Sequence, residues 1–286
     1  MTPAASGDEV FRQLQRLARA ASSGTGAPVP TSEYLTRHSL ESFLERLTRT
    51  AHSNDFALKG GVLLAGYGFR RPTRDVDAAA VSATVTAEHI AEVVSDVVAV
   101  EADDGLTFDA NRPSIQPIRD TSEYPGVRVR LRGAIGRHPV TVGWDISTGD
   151  PMVPAPSLVA VPRIMGSPIV MLGYAPETVV AEKAVTILER GITSTRWRDF
   201  VDIVQIARVH GVDGEVMLSA ARAVARYRGV QLRATADVVT GYGAVGQTKW
   251  AAWRRKEGLQ EVSEPDLDEQ LSRVAQIVDP LFLRQD

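Results

Sequence analysis

Residues 58–80 read LKGGVLLAGYGFRRPTRDVDAAA, from Leu58 to Ala80, and the fold turns on this stretch. Residues 55–59 have the length and apolar content of a short strand. Gly60 and Gly61 end it, and residues 62–67 suit a short helix. Residues 74–80 alternate charged with small apolar side chains, as a strand with one wet face does. On such a strand Asp75 and Asp77 share a face. Two carboxylates that close repel unless a cation lies between them, and Mg²⁺ prefers such oxygens. A Gly pair between strand and helix lets backbone N–H groups face an anion. Each part has a plainer reading: Gly-Gly as a tight turn, Asp-x-Asp as a solvated pair. Their order sets a phosphate cradle beside a metal pair, and moving a nucleotidyl group needs both.

Towards the N-terminus, Val10, Phe11, Leu14, Leu17 and Ala18 fall at helical spacing. Residues 22–30, SSGTGAPVP, read as a flexible joint. A second helix starts at Thr31 or Ser32 and carries Tyr34, Leu35, Leu40, Phe43, Leu44 and Leu47 on its apolar side. Downstream, Thr86 opens a helix to about Val98, and residues 102–147 read mostly as β. Residues 127–132 and 139–146 alternate cleanly around an expected turn at 133–137, which predicts a hairpin. Near the hairpin's end, Asp145 is either a third carboxylate of the site or a turn residue bonded to Ser147 or Thr148. Residues 149–162 are Pro-rich and predict a crossover loop. Beyond Pro176 the chain turns helical over 177–190, 195–209, 213–228 and 267–278. The expected organisation is an N-terminal helix and linker (1–30), a mixed α/β core (31–175) and a helical domain (176–286).

A second constellation lies in the helical part. Lys183, in VVAEKAVTILERG, precedes Asp199 by 16 residues, and Asp199 and Asp202 are i, i+3 neighbours in RWRDFVDI. A lysine facing them is a structural ion pair or a phosphate-binding lysine held in place.

Lys59-Gly-Gly, Asp75-Val-Asp77, Asp145, Glu182-Lys183 and Arg198-Asp-Phe-Val-Asp202 together resemble the nucleotidyltransferase toxins of the AbiEii type, related to the mycobacterial MenT toxins. The likeness covers roughly residues 55–210. It implies an α+β fold: a polymerase-β-like nucleotidyltransferase core with a mixed sheet, followed by a helical C-terminal domain that completes the active site. It also implies Mg²⁺ or Mn²⁺, an NTP donor, a tRNA 3′ acceptor end and a cognate antitoxin. By position, Asp75, Asp77 and Asp145 match the metal carboxylates. Lys183 matches the essential lysine, Asp202 the late essential aspartate, and Asp199 the first Asp of that motif. Lys59, Gly60, Gly61, Thr73, Arg74 and Lys183 are the expected nucleotide-binding residues. The family commonly has Ser or Thr after Gly-Gly where this chain has Val62, which leaves that grip to backbone amides or Thr73. Arg70, Arg71 and Arg74 either hold phosphate or form a solvated loop.

Residues 249–258, KWAAWRRKEG, place Trp250 and Trp253 beside Arg254, Arg255 and Lys256. Aromatics with basic neighbours suit unpaired bases, but more often such a Trp pair anchors a helix to a core while the charges face water. Arg196, Trp197 and Arg198 make a similar cluster. His38, His52, His89, His138 and His210 show no ligand spacing.

Composition limits the alternatives. The chain has 286 residues, 44% hydrophobic and 23% charged, with net charge −3. That suits one large or two modest domains and excludes bulk electrostatic binding to nucleic acid. The absence of cysteine excludes disulfides and thiolate metal sites. No apolar run approaches the roughly 18 residues of a membrane span, and no secretion signal opens the sequence. A cytoplasmic enzyme is expected, with no membrane partner. It would transfer NMP from an NTP to RNA and so block translation. The competing readings are transfer to a protein hydroxyl and a vestigial binding module.

Overall fold

The computed structural model describes residues 6–25, 29–81, 83, 85–110, 113–118 and 126–284. The chain divides into two compact units. The first takes the chain to Gly66, then Thr73–Gly149 and Leu158–Gly173. The second takes Tyr67–Pro72, Asp150–Ser157 and everything from Tyr174.

The first unit opens with α1 (Gly7–Thr25) and α2 (Thr31–Leu47). Then follow β1 (Phe56–Lys59), α3 (Gly60–Leu64), β2 (Val76–Ala80), α4 (Ala87–Ala99), β3 (Leu106–Phe108), β4 (Ser114–Pro117), β5 (Gly126–Ile135), β6 (His138–Ser147), β7 (Ser157–Val161) and β8 (Ile169–Gly173). The strands form one mixed sheet in the order β3-β5-β6-β2-β1-β8-β7, with β4 also on β5. β1 runs antiparallel to β2, β2 parallel to β6, and β6 antiparallel to β5.

Alternation along these strands separates two faces. Val142, Trp144 and Ile146 of β6 are buried with Val76 and Ala78 of β2. Trp144 packs against Phe43 of α2, with ring centroids 5.3 Å apart, and against Phe56 of β1 at 4.8 Å. The other face presents Asp77 and Asp145. Inside the unit Arg46 makes a two-pronged ion pair with Asp104, Nη1 to Oδ2 at 2.6 Å and Nη2 to Oδ1 at 2.9 Å. The guanidinium also lies 5.2 Å from the Phe108 ring centre.

Several expectations shift. α1 runs on through Ser22–Thr25, where a joint was expected, and residues 26–28 lie outside the described residues. Val10 and Leu14 of α1 pack with Leu106 and Ile135. The hairpin turn shortens to Gly136 and Arg137 because both strands extend towards it. Asp75 lies just ahead of β2 instead of within it. The Pro-rich loop gives way to β7 at Ser157.

The second unit contains α5 (Pro176–Arg190), α6 (Trp197–Val209), α7 (Gly214–Arg228), α8 (Thr235–Val238), α9 (Tyr242–Glu257) and α10 (Leu267–Phe282). Asp213 caps α7 by accepting from the backbone N–H groups of Glu215 and Val216, and Gly229 ends it in the left-handed region. Val180, Ala184, Phe200, Ile203, Ala221 and Val278 are among its core side chains. Arg228 is held there by Asp150, Nε to Oδ1 at 3.0 Å and Nη2 to Oδ2 at 2.8 Å. No described helix is long and apolar enough to cross a membrane.

Candidate active site

Strand register builds the site in the first unit. Lys59 stands opposite Asp77, Asp77 beside Asp145, and Asp145 opposite Arg128. Register neighbours share a sheet face. A row of four charges therefore crosses four adjacent strands with the signs plus, minus, minus, plus. Asp75 joins this face: a Cβ built on Gly143, the residue two before Asp145, would lie 3.2 Å from Asp75 Cβ. It would also lie 2.3 Å from Nη1 of Arg130, so the glycine makes room for that guanidinium.

Gly60 is required on two counts. Its φ is +65°, in the left-handed region that favours glycine. A Cβ there would lie 2.0 Å from Oδ2 of Asp77, so the Asp77 carboxylate rests directly on the glycine backbone. Gly61 and Val62 are buried at the start of α3. Thr73 and Arg74 lie on the segment leading into β2, Arg74 exposed and Thr73 half-buried.

Arg128 received no role from sequence. Its Nη2 donates to Asp145 Oδ2 at 2.6 Å and its Nε to Oδ1 at 2.9 Å. Arg130 Nη1 stands 3.5 Å from the same carboxylate. The hydrogen bond to Asp145 raises the Arg128 pKa against partial burial, with the charges of Asp145, Asp75 and Asp77 acting the same way. All three carboxylates thus act on one guanidinium. Their oxygen-only set suits a hard divalent cation. Among the described residues they are not gathered within 4.8 Å of one another as a ready-made metal cage; His52, Asp55 and His89 are. The forked grip of Arg128 holds Asp145 towards β5.

Within the second unit, Lys183 Nζ lies 2.5 Å from Asp199 Oδ1 and 2.9 Å from Asp202 Oδ2. Asp199 also accepts from Arg196 Nε at 2.7 Å. Asp202 accepts a fork from Arg71, Nε at 2.8 Å and Nη2 at 2.9 Å. Arg71 is therefore an enclosed partner of Asp202, its side chain 7% exposed, and no part of a solvated loop. Burial works against the Lys183 ammonium, yet Asp199 and Asp202 outweigh it and hold its pKa above the ordinary lysine value. Burial likewise opposes both carboxylates. Lys183 and Arg196 nevertheless hold Asp199 well below the usual range, and Arg71 and Lys183 hold Asp202 below it.

The tryptophan cluster turns inward. Trp250 is fully buried and its Nε1 donates to the Glu264 carbonyl at 3.0 Å. Trp253 stacks on it at 5.2 Å, and Trp197 Nε1 donates to the Tyr242 hydroxyl at 2.6 Å. Arg254 is buried too, its Nε donating to Ser263 Oγ at 2.9 Å. The helix-anchor reading holds for Trp250, and Lys249, Arg255 and Lys256 face water as it expects, but Arg254 departs from it by lying buried.

The family described as "Nucleotidyl transferase AbiEii toxin, Type IV TA system" matches residues 42–276, which includes every residue of both constellations. Among solved structures the chain is similar to JHP933 from Helicobacter pylori, at 16% identity and a TM-score of 0.50, covering 87% of this chain and 91% of that one. It is similar also to an H. pylori protein assigned as a nucleotidyltransferase, at 15% identity and a TM-score of 0.50, covering 87% and 94%. These likenesses concern the fold, a mixed sheet followed by helices. No curated protein matches the sequence.

Proposed function

Because the chain belongs to the AbiEii nucleotidyl transferase toxin family, we propose that it transfers NMP from an NTP to the 3′ end of an RNA, most simply tRNA, and thereby blocks translation. The observation that carries the reading is the charged row Arg128–Asp145–Asp77–Lys59, with Asp75 on the same face and the Asp77 carboxylate on the Gly60 backbone.

The RNA hydroxyl oxygen attacks the α-phosphorus, the bond to the bridging oxygen of the β-phosphate breaks, and pyrophosphate leaves. Asp75 and Asp77, with Asp145, would hold Mg²⁺ or Mn²⁺, which supplies positive charge at the reacting phosphate. Asp145 also takes the hydroxyl proton. Arg128, about half exposed, can turn from Asp145 towards a phosphate oxygen and free the carboxylate for that role. Lys59, the Gly60-Gly61 backbone, Thr73 and Arg74 hold the triphosphate. Lys183 neutralises phosphate charge and Asp202 keeps it in place; for these two the reading rests on the family resemblance. Positioning and fixed charge supply most of the rate. Toxicity is countered by a cognate antitoxin.

The test is labelling of total tRNA with each α-³²P-NTP, beside a parallel protein pool. Wild-type protein is expected to label tRNA with one preferred NTP, and Asp75→Ala to lose the label. Undiminished labelling by Asp75→Ala overturns the assignment. Label confined to the protein pool moves the acceptor to a protein hydroxyl.

A further inference from the structure

A second group of chemistry-bearing side chains lies at the other end of β1. His52 and Asp55 sit in the segment between α2 and β1, and His89 sits in the first turn of α4. Each offers a ligand atom, and the three atoms lie within 4.8 Å of one another. We infer that His52, Asp55 and His89 form a binding site for a transition-metal cation of the Zn²⁺ class, separate from the acid row. Asp55 immediately precedes β1 and Lys59 ends it, so about 13 Å of strand separates the two, at roughly 3.3 Å per residue.

Three features carry the inference. First, His52 Nδ1 stands 3.1 Å from Asp55 Oδ2. Two tetrahedral ligands about 2.0–2.1 Å from zinc lie about 3.3 Å apart, so this pair already has ligand spacing. Second, the other ring nitrogen of His52, Nε2, lies 3.2 Å from Asp96 Oδ2 on α4. A histidine ligand typically gives its second nitrogen to a carboxylate, which fixes ring and tautomer. Third, His89 Nε2 is buried without a hydrogen-bond partner. The nearby carboxylate of Glu92 faces the opposite nitrogen, Nδ1, at 3.8 Å. An enclosed nitrogen left unpaired costs free energy, and a cation would satisfy it. The two imidazoles meet edge to face, with centroids 5.4 Å apart.

Two imidazoles and one carboxylate favour Zn²⁺, Co²⁺ or Ni²⁺ over Mg²⁺, which prefers an all-oxygen shell. Bound there, the ion ties the α2–β1 segment to α4 and fixes the entry to β1. The competing account is a plain hydrogen-bonded clamp, with His52 bridging Asp55 and Asp96.

The experiment titrates ZnCl₂ into chelator-stripped full-length protein in excess Mg²⁺, by calorimetry and thermal unfolding. One equivalent is expected to bind and to raise Tm by a few degrees, in wild type and in Asp75→Ala alike. His89→Ala should lose this binding, and Asp96→Asn should weaken it about 10-fold or more. Should His89→Ala fold poorly, Co²⁺ added to wild type and to His52→Gln tests the site independently, through the visible bands of tetrahedral coordination. Absence of binding in excess Mg²⁺ overturns the site. So does unchanged binding in His89→Ala, or a Co²⁺ spectrum that His52→Gln leaves intact.

Discussion

Replacing Gly60 with alanine would set a methyl group where the Asp77 carboxylate lies, and would do so at a φ that L side chains rarely adopt. The backbone cost is about 1 kcal/mol. The catalytic cost is larger, since a displacement near 1 Å at a reacting site lowers rate by roughly 100-fold. Gly60→Ala is therefore expected to stay folded in a urea titration while losing roughly 100-fold in NMP transfer. Near-normal transfer would show that Asp77 does not depend on this glycine. Asp77 and its Gly pair were legible because their spacing is local. Arg128 was not. Alternation put Arg128, Arg130 and Arg132 on one face, but which of them meets Asp145 depends on hairpin register. The turn proved to be Gly136-Arg137 instead of 133–137. A one-residue slip in register would have sent every side chain to the opposite face. The pairing of His52 with His89 was illegible for a related reason: packing of α4 brings them together, and no ligand spacing records it.

At the scale of elements, α5 and α6 are joined by buried charge. Lys183→Ala leaves Asp199 and Asp202 short of one cation, and losing one partner of a buried pair costs about 3–5 kcal/mol. A lower urea midpoint is expected. The double variant Lys183→Met/Asp199→Asn should regain part of that stability and remain inactive if the lysine acts on phosphate; recovered transfer would make its role structural. The same network sets a pH limit. Asp199 and Asp202 have lowered native pKa values, against 3.8 for an ordinary aspartate. Their contribution is present above about pH 4 and fades as pH falls through the lowered native values. Urea midpoints should hold down to about pH 4 and then fall, less steeply in Asp199→Asn; identical acid limbs in the two proteins would rule this out. The Lys183 contribution has the opposite sense, present below 10.5 and lost as pH rises through its raised native value. α9 was not among the expected helices, whereas α5, α6, α7 and α10 were readable from their apolar periodicity. β7 was not, because its five residues follow a run of prolines whose turn signal dominates the local pattern.

For the molecule as a whole, the mixed character of the sheet followed from the family resemblance. The pairing that makes the row did not, since parallel neighbours far apart in sequence leave no local trace. Nor did the membership of the second unit, which draws Tyr67–Pro72 and Asp150–Ser157 out of the middle of the chain. Arg71 reaches its partner Asp202 across that gap in sequence. The parallel pairing of β2 with β6 has a consequence for how such a protein is made. Asp77 meets Asp145 only by closing a long loop, which polypeptides do late. A ribosome that has released β1 and β2 has not yet synthesised Asp145, and β8, which flanks β1 on its other side, comes later still. Chains that stop before β6 accordingly carry no assembled acid row. The strands of this sheet end at Gly173, so the whole row precedes the helices from Pro176 onward in synthesis, and the sheet can begin to assemble while those helices are still unmade.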